Sequence, residues 1–378
     1  MSSRRNFGPV SSDGVPIRAG QRVSVRVKQT SGDTQMVHRF KFGIAQLEPE
    51  GTGPGSLPEF GGGDVDDPGV DVGVLVGTAE GGVYRYDTDG SPLGDFSVPD
   101  SPVRRVEPHT DGQHVYIAYG NRVARYDLDA SPIGFDGRDD FGATGTGAYR
   151  QLAYDPVTDR VYAGRSNWMF AADPETVDQI LNADGWGSAT NPGIEVDNAN
   201  GRLLWVVTDS STRGVWATPL DTFDPATRVV ETSGSQSTVH AVAGSTDVVH
   251  GGTGSPAGFT RSRTSDGTQV ANDDSHLIVH SRRSRVDDDL FFAIAFDGTV
   301  VQYDADCIEQ WSDATLVDGS TETGVGLAAS ADGGLWVARI DNDGNGQLYK
   351  YDSAGSVVVG PVAVGGEPRA CAVLPEAA

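Results

Sequence analysis

One pattern repeats along this chain from about Gly69 onward: an apolar stretch, a turn with Gly or Asp, a second apolar stretch and another turn. Copies end at Tyr86-Asp87, Tyr126-Asp127, Tyr303-Asp304 and Tyr351-Asp352, and degenerate copies end near Ala171, Ala217 and Arg261. They lie roughly 40 to 48 residues apart, which is the period of a four-stranded propeller blade. The seven copies therefore predict an all-β fold, a seven-bladed β-propeller.

A second series of turns precedes shorter strands in three of the copies. Asp111-Gly112, Asn200-Gly201 and Asp332-Gly333 each stand before an apolar run that contains an aromatic residue. Glycine after Asp or Asn supplies the positive φ that tight hairpins require. The apolar runs suit strands buried between neighbouring blades, and they place Trp205 and Trp336 in blade cores.

The first copy lacks an innermost strand, because a Gly-, Asp- and Pro-rich stretch precedes Val72–Val76. The end of the chain, Glu367–Leu374, has the pattern of such a strand but no copy follows it. We therefore predict that the C-terminal strand completes blade one and closes the ring, which removes a free sheet edge. Elsewhere, residues 175–191 depart from the repeat and are predicted to be an insertion.

Three segments carry a resemblance to known repeat families. They are Glu367–Val373, Tyr149–Pro156 and Gly326–Val337. Each is similar to blades of the NHL, YVTN and quinoprotein-like propeller families. The resemblance holds repeat by repeat, and it implies an architecture without naming an active site, because propellers carry unrelated activities.

The sequence predicts three parts: a basic module over residues 1–50, a Gly-, Pro- and Asp-rich linker over 51–70, and the propeller over 71–378. Within the first part, Arg22–Lys28 and Met36–Ile44 have the pattern of a two-stranded hairpin. An isolated hairpin is marginal in water, so this one is expected to need a partner surface. The basic residues expected to make assembly contacts are Arg4, Arg5, Arg22, Arg26, Lys28, Arg39 and Lys41.

Charge divides the chain in the same way. Residues 1–50 hold eight basic and four acidic residues, whereas the rest of the chain holds 20 basic and 49 acidic ones. Only three of the 28 basic residues are Lys, and 41 of the 53 acidic residues are Asp. An acidic surface with so little lysine is similar to proteins of extreme halophiles, which stay hydrated in molar salt. The negative charge also argues against nucleic acid as a partner of the propeller.

Neither export nor membrane insertion is predicted. No apolar run follows the basic start Met1–Pro9, and no stretch of the sequence is long and apolar enough to span a bilayer. The two cysteines, Cys307 and Cys371, are predicted in an outer turn of blade six and on the inner strand of blade one. A disulfide between them is not expected.

Four basic residues form the candidate ligand site. Alignment of the innermost strands places Arg104, Arg150 and Arg369 at matching positions, with His240 at or beside the equivalent place in blade five. Together they would form a positive spot at one mouth of the central channel, suited to a carboxylate, a sulfate or an acidic glycan. The alternative is that each Arg pairs with a blade Asp and ties strands together.

A second candidate is a cation loop. Asp341, Asp343, Asn345 and Asp352 place oxygen ligands at positions 1, 3, 5 and 12 of a calcium-type loop, with Gly346 at position 6. Position 12 is Asp in place of a bidentate Glu, and the flanks are predicted strands in place of helices. A bound Ca²⁺ and a plain hairpin turn both account for these residues. No other cofactor is predicted.

The sequence contains no serine-hydrolase elbow, zinc-protease motif, P-loop or Cys/His zinc pattern, so a non-enzymatic protein is favoured. The basic arm, the halophile-type composition and a propeller held outward resemble a virion component of a haloarchaeal tailed virus, such as a capsid turret, spike or tail fibre. That resemblance implies a structural protein in several copies per virion. It would bind neighbouring subunits through residues 1–50 and a host-surface glycan or protein through the propeller.

Two alternatives remain open. One is a propeller enzyme of quinoprotein-like or lyase type that acts on an anionic substrate. The other is a soluble scaffold protein in the cytoplasm of a halophilic archaeon.

Overall fold

The computed structural model describes residues 71–128, 149–175, 179–189, 193–314, 325–341 and 343–375. These residues form strands joined by turns, and none of them belongs to a helix that could cross a membrane. The predicted basic module and linker, residues 1–50 and 51–70, lie outside the described residues.

The strands of the first half of the propeller are β1 (Asp71–Thr78), β2 (Gly82–Tyr86), β3 (Pro92–Ser97), β4 (Val103–Pro108), β5 (His114–Tyr119), β6 (Arg122–Asp127), β7 (Tyr149–Asp155), β8 (Arg160–Ala172), β9 (Gln179–Ala189), β10 (Ile194–Asp197), β11 (Arg202–Val207), β12 (Gly214–Pro219) and β13 (Thr227–Glu231). Those of the second half are β14 (Gln236–Ala241), β15 (Val248–Gly252), β16 (Gly258–Ser262), β17 (Gln269–Asp273), β18 (Ile278–Arg283), β19 (Leu290–Ala295), β20 (Val300–Asp304), β21 (Glu309–Asp313), β22 (Val325–Ala329), β23 (Leu335–Ile340), β24 (Gly346–Tyr351), β25 (Val357–Val364) and β26 (Pro368–Pro375).

These strands form seven antiparallel sheets, which are the seven blades. From the inner strand outward they are β26-β1-β2-β3, β4-β5-β6, β7-β8-β9, β10-β11-β12-β13, β14-β15-β16-β17, β18-β19-β20-β21 and β22-β23-β24-β25, numbered here as blades one to seven. Each inner strand contacts the inner strands of the two neighbouring blades. The prediction of an all-β, seven-bladed propeller is therefore confirmed.

Ring closure also follows the prediction. Strand β26 is the inner strand of blade one and pairs antiparallel with β1, with Val373 opposite Val74 and Pro375 opposite Asp71. The last described strand thus lies in the same sheet as the first described one. This leaves no open inner edge where the two ends of the propeller meet.

The core lies between blades. Each of the seven clusters of buried apolar residues joins two adjacent blades, one cluster for each of the seven blade interfaces. The second strand of a blade is covered on both faces, which explains why β19 (Leu290–Ala295) is a continuous apolar run. Trp205 and Trp336 are fully buried in this core, as predicted.

The turn chemistry also has the predicted effect. Gly112 and Gly201 adopt φ values of 65° and 63°, a left-handed conformation that is costly for a residue with a Cβ. The predicted insertion at residues 175–191 is wrong in its main part, because β9 lies there and pairs with β8 as the outer strand of blade three. The pairing is irregular at one end, since three extra residues of β9 lie between the partners of Ser166 and Trp168. Both cysteines are buried and free, and Cys371 lies on the inner strand of blade one.

Candidate functional site in the central channel

The inner strands of five blades share a local irregularity at their second residue. There the chain carries one extra residue that has no partner on the neighbouring strand, a β-bulge. The bulged residues are Arg369, Arg104, Arg150, Ser237 and Val279, in blades one, two, three, five and six. Because the inner strands lie side by side around the channel, these residues lie at the same mouth.

Three arginines of adjacent blades therefore come together at that mouth. Arg104 is half-buried, and its pKa is lowered first by burial and then by the positive charges of Arg150 and Arg369. Nη2 of Arg369 forms an ion pair with Oε1 of Glu367 at 2.7 Å. Within the part of the chain that the structure describes, neither Arg104 nor Arg150 has a carboxylate at ion-pair distance. The buried Nε atoms of Arg104 and Arg369 also lack a described hydrogen-bond partner.

His240 does not share this position. The equivalent residue of blade five is Ser237, so His240 lies three residues further along the strand, roughly 10 Å deeper in the channel. It is 4% exposed. Its Nδ1 contacts Oε2 of Glu195 in blade four, and its Nε2 lies 2.8 Å from Oγ of Ser281 in blade six.

Glu195 makes the largest number of polar contacts in the group of Glu195, His240 and Ser281. Its Oε1 pairs with Nη2 of Arg283 at 2.5 Å and accepts the backbone N–H of Ala241 at 3.2 Å. Burial by itself would raise the pKa of Glu195, but Arg283 and then His240 hold the pKa below its ordinary value. The carboxylate therefore stays ionised and joins blades four, five and six.

The order Ser281, His240, Glu195 has the connectivity of a nucleophile, a base and an orienting acid. Two observations favour a structural role for it. Ser281 is 2% exposed, and the three residues come from three separate inner strands that they hold together. The adjacent cavity has room for about one water molecule, which is far too little for a small-molecule substrate.

The channel next to this group is positively charged. Burial and then the charge of Arg282 lower the pKa of Arg105 to about 9, so its guanidinium remains charged at neutral pH. Burial raises the pKa of Glu107 to about 6, although Arg282 and Arg105 pull it down. Burial, Arg105 and Arg282 also lower the pKa of His280, which keeps its ring neutral. His280 is 6% exposed and lines the cavity, with no described hydrogen-bond partner for either ring nitrogen.

The calcium-loop residues are not brought together. Asp341 closes the β23–β24 turn, because its Oδ1 accepts the backbone N–H groups of Asp343 and Asn345 at 2.9 and 2.8 Å. Asp352 lies at the opposite end of the six-residue strand β24, about 20 Å away along an extended chain. Its Oδ1 accepts the N–H groups of its own turn. The hairpin alternative therefore accounts for these residues.

The basic residues predicted to make assembly contacts all lie outside the described residues: Arg4, Arg5, Arg22, Arg26, Lys28, Arg39 and Lys41. Sequence reasoning missed Arg105, Glu195, His280 and Arg282. A signal for them exists, since charged residues are unexpected in the inner strand of a blade. The pairs Arg104-Arg105 and Arg282-Arg283 both interrupt such a strand.

Comparison with known proteins supports the fold. No known family profile matches the sequence, and no curated protein matches it. Two solved structures of AztD from Citrobacter koseri, one of them the apo form, are similar at 12% identity, with TM-scores of 0.52 and 0.51. The match covers 80% of this chain and 97% of each AztD chain. At this identity the likeness shows the architecture and nothing about the ligand.

A protein of unknown function from Bacteroides caccae is also similar, at 11% identity and a TM-score of 0.49. That match covers 81% of this chain and all of the other.

Proposed function

We propose that this propeller is a non-enzymatic recognition protein that binds an anionic group at the channel mouth formed by Arg104, Arg150 and Arg369. The observation that carries the proposal is the meeting of three like charges. Arg150 and Arg369 lie close enough to Arg104 to lower its pKa, and only Arg369 has a described carboxylate partner. Three adjacent cations repel one another, so an anion among them relieves that repulsion.

The chemistry of the mouth selects the ligand class. A guanidinium presents a planar fork of N–H donors that matches the two oxygens of a carboxylate or a sulfate. Arg105 and Arg282 extend the positive potential deeper into the channel. The remainder of the propeller sequence is strongly acidic, so the mouth is a positively charged region that attracts an anion, whereas the acidic surface of the propeller repels it.

The test is titration calorimetry with three probes at constant ionic strength: sulfate, a carboxylated oligosaccharide and a sulfated oligosaccharide. Arg104→Gln and Arg150→Gln each remove one charged donor set, and each is expected to weaken binding about tenfold or more, as for loss of a charged hydrogen bond. Arg228→Gln is the matched control, because Arg228 forms a surface pair with Glu231 at 2.9 Å. If all three variants bind the probes with equal affinity, the channel mouth is not the binding site.

The wider assignment rests on the sequence. A basic module over residues 1–50 would anchor the chain in a haloarchaeal virion, and the propeller would meet an acidic host-surface glycan, which offers the carboxylate or sulfate groups that the mouth suits. Incorporation of a chain that lacks residues 1–50 tests the anchor. If the chain without residues 1–50 is incorporated normally, the anchoring surface lies on the propeller and not in that module.

A further inference from the structure

A second cluster lies at the β4–β5 hairpin of blade two: His109 and Asp111 lie in the turn, and His114 is the first residue of β5. One ligand atom of each residue lies within 4.8 Å of the others, and the three side chains are partly buried. Oδ2 of Asp111 is 3.0 Å from Nδ1 of His109 and also contacts Nδ1 of His114. Among the described residues this is the one such group of three.

The turn itself holds the three side chains in place. Oδ1 of Asp111 accepts the backbone N–H groups of Gln113 and His114 at 2.9 and 3.0 Å. This leaves Oδ2 directed at the two imidazoles. The ring of His109 packs against the ring of Tyr154 with their centroids 4.6 Å apart. One carboxylate oxygen therefore shapes the turn, and the other faces two ring nitrogens, of which Nδ1 of His109 also accepts the backbone N–H of Asp111 at 3.1 Å.

Two imidazole nitrogens and one carboxylate oxygen are a ligand set typical of zinc-class ions, with a fourth position left for water or another ligand. In a tetrahedral site with metal–ligand distances of about 2.0–2.2 Å, ligand atoms lie about 3.3–3.6 Å apart. The His109–Asp111 distance of 3.0 Å is a few tenths of an ångström shorter than this. The shorter His114–Asp111 contact would have to open on metal binding, and the two side chains are 20% and 34% exposed, which leaves room for such a rotation.

We propose that His109, Asp111 and His114 bind one divalent transition-metal ion of the zinc class. The site is independent of the anion-binding mouth, because Arg104 is near the start of β4 and His109 follows its end. The two sites therefore lie on opposite faces of the propeller. A metal here would stiffen the hairpin and present an open coordination position to that face.

The test uses the full chain without a polyhistidine tag. Co²⁺ is titrated while its visible absorption is recorded, since four-coordinate Co²⁺ absorbs far more strongly than the hydrated ion, and Zn²⁺ is then added in competition. His109→Ala and His114→Gln each remove one ligand, and near-UV circular dichroism checks that each variant is folded. His276→Ala is the matched control, because His276 is a partly buried histidine beside Glu309 in another blade.

We expect one equivalent of Co²⁺ to bind with a four-coordinate spectrum and to be displaced by Zn²⁺. Loss of a second-shell partner typically weakens metal binding by about 10–100-fold, so loss of a ligand should weaken it by about 100-fold or more, and His276→Ala should leave it unchanged. A hydrated-type spectrum, or equal affinity in His109→Ala, His114→Gln and His276→Ala, would overturn the proposal.

Discussion

Deletion of the closing strand is the sharpest test of how this ring is held together. Removing residues 368–378 takes β26 out of blade one and exposes the inner edge of β1, where Val74, Leu75 and Val76 are fully buried. We expect the whole propeller to unfold, because the strand contributes to the clusters that join blade one to blades two and seven.

The size of the effect follows from the buried side chains. Val373 and Leu374 are 6% and 2% exposed, and burial of such a side chain is worth about 1.5–3 kcal/mol. These two residues alone therefore account for about 3–6 kcal/mol, before the ladder hydrogen bonds with β1 are included. A typical domain is stable by only about 5–15 kcal/mol. The deletion thus removes a large share of the free energy of unfolding.

The assay is urea unfolding followed by tryptophan fluorescence at constant salt. A graded version uses Leu374→Ala, expected to cost about 2–5 kcal/mol, against the control Val358→Ala at a side chain that is 54% exposed. A permutant that moves Glu367–Pro375 directly before Asp71 should recover full stability. Its joint needs only a short turn, since Pro375 lies opposite Asp71.

Two outcomes would refute this reasoning. One is a truncated chain that unfolds at the same urea concentration as the full chain. The other is a permutant no more stable than the truncated chain, since that would mean the strand acts through its place in the sequence and not through its pairing with β1.

Three further predictions concern titration, thiols and salt. Burial lowers the pKa of His250 to about 4 in the folded chain, whereas the pKa of this histidine is about 6.5 in the unfolded chain. Above about pH 6.5 the side chain is neutral in both states. Between about pH 6.5 and 4 the unfolded state takes up the proton and the folded state does not. The free energy of unfolding should therefore fall by about 3 kcal/mol from pH 6.5 to 4. His250→Gln should lack this component in urea midpoints measured across that range, and an identical pH profile would contradict the assignment. Burial raises the pKa of Cys307 and Cys371 to about 12, so a thiol reagent at pH 8 should label both only in urea, and rapid labelling of the native chain would contradict their burial. Dialysis from molar to about 0.1 M salt lengthens the screening distance to about 10 Å, so repulsion between carboxylates should destabilise the folded state. We expect the circular dichroism signal of the folded chain to decrease. An unchanged signal would count against halophilic adaptation.

The parts of the fold that local chemistry decides could be predicted from the sequence. The Tyr86-Asp87 and Asp111-Gly112 turns and the apolar run of β19 each specify their structure within a few residues. Segment 175–191 was misjudged because β9 has little of the apolar pattern by which the repeat was recognised. Its pairing with β8 is what identifies it as a blade strand.

The candidate site was predictable only where the repeat itself carried it. Arg104, Arg150 and Arg369 occupy the second position of their strands, so alignment of the repeats found them. His240 was misplaced because Ser237 gives no sign that it occupies the bulge. The network of Glu195, His240 and Ser281 joins residues more than 40 positions apart, and no local pattern reports such contacts.

The calcium-loop prediction had a different weakness. The 1, 3, 5 and 12 spacing brings ligands together only when the chain curls around a cation. Here β24 runs straight between Asn345 and Asp352 and carries them apart. Spacing alone was therefore not enough without the backbone that surrounds it.

Most strand positions must both pair with the neighbouring strand and present a side chain that fits its surroundings. At the bulged second residue of the inner strands, the first requirement is absent. A bulged residue has no partner across the ladder, so no cross-strand pair dictates which side chain stands there. Arg, Arg, Ser, Val and Arg occur there while the strands beside them stay alike in register. The residues at the mouth of the channel can therefore change in one blade at a time, by evolution or by design, while the pairing of the strands stays the same.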